Sequence, residues 1–252
     1  MYYGGYYPYY GGYGYGYGFS GLYMLAMLLL VAAIILSMYS QFKVNSTFKK
    51  YSKVASRRGY TGADVARQLL YNAGITDVVV EPIKGSLTDH YDPKSKKLRL
   101  SEPVYSSYSI AALGVAAHET GHAIQDNVGY VPLKIRTGIY PAVNFSSKLA
   151  MPLIILGLII GSFSRFYSIA LFGALLYAVV VLFQLVTLPV EFNASARAMQ
   201  NLKDYGYLDP DEVKGARKVL SAAALTYVAA AAASLATLLR FLAIILGNNR
   251  RR

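Results

Sequence analysis

Two histidines one helical turn apart, His118 and His122, with Glu119 between them, are the residues of this sequence best suited to chemistry. They stand in a small-residue run, Ile110 to Gln125, that no proline interrupts. On a helix, positions i and i+4 lie one above the other, so both imidazoles can reach one ion. Neutral imidazole is a good zinc ligand. Glu119 then points toward the open coordination position, placed to take a proton from a zinc-acidified water. The chain holds 3 histidines in all, and two fall at this spacing. Unrelated surface histidines are a poor explanation of that pattern. His-Glu-x-x-His is among the more specific short motifs, and it reads as the core of a zinc peptidase.

Two histidines leave a catalytic zinc one protein ligand short. Cys is absent, so the third ligand must be His, Asp or Glu. His90, Asp92, Glu102, Asp126 and Glu191 are the candidates. Asp126 is one turn past His122, but one straight helix does not wrap three successive turns around a tetrahedral ion. Glu191 has the better case. It follows an apolar block directly, and Ala194, Ser195, Ala196 and Ala198 after it would let its helix approach the His helix closely. Ser195, one turn on, faces the same side and could hydrogen-bond an imidazole N–H. His90 and Arg197 are candidates for contact with substrate or the oxyanion.

The elements that must position these residues are those of a membrane protein. Of 252 residues 55% are hydrophobic, and the mean hydropathy of +0.34 is concentrated in blocks. The formal charge of +12 sits beside those blocks, where anionic headgroups explain it better than nucleic acid. Residues 1–20, Tyr and Gly with one Pro, predict a disordered or interfacial tail. Residues 21–41 read as a transmembrane anchor, because the run is too long for a signal peptide and lacks its basic start. Lys43, Lys49, Lys50, Lys53, Arg57 and Arg58 place the region after this anchor in the cytoplasm.

Residues 42–147 predict an α+β catalytic region. Thr61 and Asp64 form a capping box for a helix that Gly74 closes. Asp77 to Ile83 reads as a strand, and Leu87–Tyr91 and Lys97–Ser101 flank a proline turn, a hairpin beside the His helix. Residues 148–188 carry two membrane segments, the first of which needs residues before Pro152 to reach spanning length. Pro189 is expected to end the helical pattern there. Residues 189–219 form the third-ligand region, with Asp209-Pro210-Asp211-Glu212 opening a new helix. An Ala-rich membrane helix, 220–247, and a basic tail, 248–252, complete the chain. The expected fold is an α-helical membrane protein with about four transmembrane helices and a small zincin-like α+β domain.

With these segments in place, His118-Glu119-Thr120-Gly121-His122 and Leu188-Pro189-Val190-Glu191-Phe192-Asn193-Ala194-Ser195 closely resemble the bacterial family of membrane zinc peptidases, the neutral zinc metallopeptidases. Lys43 to Ser52, Leu87 to Pro93 and Ala222 to Ala229 are similar too, so the resemblance covers roughly residues 38–246. It implies an integral membrane peptidase with zinc on His118, His122 and Glu191 and with Glu119 as general base. More distantly the pattern is similar to the gluzincins. Many of those place an acid four residues after the third ligand, where this chain has Ser195.

The expected activity is hydrolysis of peptide bonds near the cytoplasmic membrane surface, on membrane-protein loops or unfolded segments. An extended substrate could add to the Lys97–Ser101 or Leu87–Tyr91 strand. The rival is a non-catalytic membrane scaffold with a structural zinc, assembling through its Tyr/Gly tail. A closed structural site wants four protein ligands, and the sequence offers three. Positive charge on both sides of 148–188 is consistent with two crossings between. A last crossing from Ala222 to Leu246 is favoured by its length, although it would export Arg250, Arg251 and Arg252.

Overall fold

In the computed structural model the described residues are 21–161 and 167–249. The Tyr/Gly tail and Arg250, Arg251 and Arg252 lie outside them. In chain order the elements are α1 (Gly21–Tyr51), α2 (Gly62–Asn72), β1 (Val79–Ile83), β2 (His90–Asp92), β3 (Lys97–Ser101), α3 (Glu102–Tyr105), α4 (Ile110–Asn127), α5 (Val131–Gly161), α6 (Tyr167–Asp204) and α7 (Pro210–Asn249).

The local signals between 60 and 110 give the helix and strands expected of them, except that the strand read at Leu87–Tyr91 is only His90–Asp92, with Leu87 at φ 58° before it. Thr61 caps α2 by accepting from the Asp64 N–H at 3.1 Å, and the Asp64 carboxylate accepts the Thr61 N–H in return. The helix buries Val65, Ala66, Leu69 and Leu70, the face read from its periodicity, and Gly74 follows it at φ 69°. The sheet order is β1-β3-β2, with β1 parallel and β2 antiparallel to β3. One expectation is corrected here. Lys97–Ser101 is the central strand, its Leu98 and Leu100 wholly buried, so both its edges are already paired. Only β2 of the hairpin keeps a free edge.

Ser109 caps α4 through the Ala112 N–H at 3.2 Å. Nearly every small residue of α4 is buried. On one side it packs with α2, the sheet and α3, and on the other with the later part of α6 and the first part of α7. Two close approaches set those distances. Gly114 lies against Ala216 of α7, and Gly121 lies against the backbone of Ala194 in α6.

Among the described residues four helices, α1, α5, α6 and α7, are long and apolar enough to cross a membrane. The 31 residues of α1 span about 46 Å, so the basic residues from Lys43 to Lys50 ride on the same helix as the anchor. The helix α5 starts at Val131 and reaches spanning length through Pro141 and Pro152. A second expectation is corrected at Pro189, which lies inside α6 rather than at its end. Proline there removes one backbone donor and crowds the carbonyl of Leu185, at about 3 kcal/mol. Val190, Glu191, Ala194 and Ala198, all buried just beyond it, hold the helix on course by packing. Tyr51 at the end of α1 meets Gly215 near the start of α7, and the two helices run alongside in opposite senses.

Candidate metal centre

The α4–α6 contact at Gly121 brings Glu191 opposite the two histidines. Glu191 Oε2 lies 3.3 Å from His118 Nε2 and 3.5 Å from His122 Nε2. The carboxylate is only 2% exposed. Among the described residues, His118, His122 and Glu191 form a group whose ligating atoms all lie within 4.8 Å of one another. Donors about 2.05 Å from a tetrahedral zinc lie about 3.3 Å apart, so this spacing and this donor set fit zinc.

The far side of each imidazole is tied back, which turns its Nε2 toward Glu191. His122 Nδ1 lies 3.0 Å from Gln125 Oε1. Gln125 donates both its amide hydrogens elsewhere, to the Val190 carbonyl at 2.8 Å and to Asn193 Oδ1 at 3.0 Å. His118 Nδ1 lies 3.1 Å from Ser195 Oγ, the partner read from the sequence. The other carboxylate oxygen of Glu191 accepts from Arg136 of α5 at 2.9 Å.

The remaining candidates are engaged elsewhere. Asp126 accepts from the Tyr91 hydroxyl at 2.8 Å and from Lys96 at 2.7 Å. Asp92 holds its own turn through Lys94 N–H and Ser95 Oγ. Glu102 starts the short α3 and is exposed. His90 lines the cleft over the site, but its Nδ1 is 2.8 Å from the Thr88 carbonyl and its Nε2 3.3 Å from Arg99. Arg197 donates to Asn193 Oδ1 at 2.8 Å and is not among the residues lining the cleft. Sequence reasoning missed Gln125, Asn193 and Arg136. Gln125 carried a signal, lying three residues past His122 and so on the same helix face; Arg136 carried none beyond being basic in an apolar helix.

Glu119 is 8% exposed. Burial pushes its carboxyl up to about 7, against the pull of His118 and the N–H of Tyr91. Glu119, His122, Glu191 and Arg136 line one cleft of about 500 Å³. Its walls come from β2 and the turn after it, from α5, and from Phe183 of α6 and Tyr227 of α7.

Over residues 26–246 the chain matches the model of a family described as "Putative neutral zinc metallopeptidase". It is 51% identical over 223 residues to a protein of Bacillus subtilis (strain 168) called "Putative membrane protease YugP", covering 88% of this chain and 97% of that one. No solved structure matches. A family match over nearly all of a chain whose described residues include four helices apolar enough to span a bilayer gives the assignment: this protein belongs to the neutral zinc metallopeptidase family.

Proposed function

We propose that the protein is an integral membrane zinc metalloendopeptidase, with the ion held by His118, His122 and Glu191. The observation that carries this is one carboxylate oxygen facing two imidazole Nε2 atoms, each ring tied back through Nδ1. Zinc held there supplies Lewis acidity, acidifying water and polarising the scissile carbonyl. Glu119 acts as the general base. Its carboxylate receives the proton of the attacking water and passes it to the amide nitrogen as that bond breaks. Burial raises its basicity toward neutrality, where a proton shuttle works best.

Gln125 and Ser195 orient the rings, and Arg136 holds the Glu191 carboxylate by its second oxygen. The edge of β2 that β3 leaves unpaired is the one an extended peptide would add to. The basic end of α1 and the site share the side where α4 packs, so the site lies near the cytoplasmic membrane surface. Substrates are polypeptides that reach that surface.

Purified protein should hold about one zinc per chain. Glu119→Gln should keep the zinc and lose hydrolysis by about 10²–10⁴-fold. Glu191→Ala should weaken zinc binding far more than Asp126→Ala or Glu102→Ala. Normal turnover by Glu119→Gln removes the general-base role, and parent-like zinc binding by Glu191→Ala removes the third ligand.

A further inference from the structure

The cleft over the metal centre has two unlike ends. At one end Asp89, His90, Asp92 and Lys94 present polar groups from β2 and its turn. At the other, Leu133, Tyr140 and Pro141 of α5 meet Phe183 of α6. Phe183 precedes Glu191 by two turns of the same helix, about 12 Å. It lies within the apolar run that makes α6 long enough to span, so this end of the cleft adjoins the apolar part of α6. The rings of Tyr140 and Phe183 stand 6.3 Å apart at 53°, and Tyr140 remains 58% exposed. The protein's own side chains do not fill the space.

Resting on the peptidase reading, we propose that this end is a specificity subsite for a large apolar side chain, and that the substrate is the juxtamembrane segment of a membrane-anchored polypeptide. The cleft carries polar groups from β2 and its turn and an aromatic pair between α5 and α6, the two kinds of contact such a segment needs. The polar part of the chain lies along β2, the scissile bond passes Glu119, and a Phe or Leu next to it enters between Tyr140 and Phe183. A fully soluble, polar peptide leaves the aromatic pair uncovered and gains nothing from it. Burying one more methylene in an apolar pocket discriminates by about 10–200-fold, so a Phe-for-Ala difference in the substrate is readily seen.

The test uses the zinc-loaded full chain in lipid nanodiscs with two reporters. One carries a single transmembrane helix and a polar tail with Phe four residues beyond the span; the other has Ala there. Both tails are also supplied as free peptides, and an unfolded soluble protein serves as a general substrate. Cut bonds are mapped by mass spectrometry. The expected result is cleavage beside Phe at least about tenfold faster than beside Ala, and faster when tethered than when free. Phe183→Ala and Tyr140→Ala should lose the preference while zinc content stays at the parent level. Phe183→Trp, which shrinks the space, should shift preference toward Ala. If the unfolded protein is digested but the cuts show no preference and neither Phe183 variant changes them, the subsite is refuted while the peptidase reading stands. Equal rates on tethered and free tails overturn the juxtamembrane substrate. If no substrate is cut at all, the peptidase reading falls first and this inference with it.

Discussion

Gly121→Ala tests whether the α4–α6 contact sets the metal centre. A Cβ built on Gly121 meets the Ala194 carbonyl oxygen at 2.7 Å and two further backbone atoms of Ala194 at 3.2 and 3.3 Å. Ordinary contact begins at 3.4 Å, so the helices must part by about 0.7 Å. Backbone cannot swing aside as a side chain can. Glu191 is within one turn of Ala194, and its Oε2 moves with the helix away from the two Nε2 atoms now at 3.3 and 3.5 Å. Overpacking of this kind costs about 1–3 kcal/mol, which lowers the melting temperature by roughly 2–4 °C per kcal/mol. Misplacing a ligand by that distance should weaken zinc binding by about 10–100-fold, the scale at which lost orientation of ligands is felt. Competition against a chromophoric chelator reads the affinity, and a thermal melt in detergent reads the packing. Gly114→Ala is the matched control on the same helix, because its nearest neighbour, the Ala216 Cβ, is already at an ordinary 3.5 Å. Parent-like zinc affinity in Gly121→Ala would refute the idea that this contact fixes the ligand geometry.

Ser195→Ala should reduce zinc affinity or turnover by about 10–100-fold, since His118 Nδ1 loses its partner; an unchanged titration would show the ring is held by packing alone. The stability of the metal-free protein should depend on pH through Glu119. Its folded carboxyl titrates near 7 against 4.5 unfolded, so the stabilisation is complete below 4.5 and is lost as pH rises through 7, by about 3 kcal/mol. Melting curves at pH 5 and pH 7.5 measure this, and Glu119→Gln should flatten the difference; an equal slope in that variant would assign it to other groups. A single cysteine at position 249 should be labelled from outside while one at position 203 is protected, as expected if α7 crosses; protection at both would deny the crossing.

What the sequence determined by itself is whatever depends on neighbours along the chain. The cap of α2, the Ser109-led helix that carries His118, Glu119 and His122, and four apolar blocks of spanning length are all local patterns. Their hydrogen bonds and burial repeat within a few residues, so residue type and spacing suffice. Glu191 could be favoured because small residues follow it, and Asp126 disfavoured because it shares one helix with both histidines, but spacing alone could not exclude His90 or Asp92. Only the packing of α4 on α6 decided which carboxylate meets the imidazoles, and it engaged Asp126 with Tyr91 and Lys96 instead. The tertiary structure also made Lys97–Ser101 the central strand, because β1 arrives from earlier in the chain to cover its other edge. It carried α6 through Pro189, where burial beyond the proline outweighs one lost hydrogen bond. Arg136 reaches Glu191 from a helix whose pattern reads only as membrane. Contacts between residues far apart in sequence are set by how whole helices pack, and no local spacing records them.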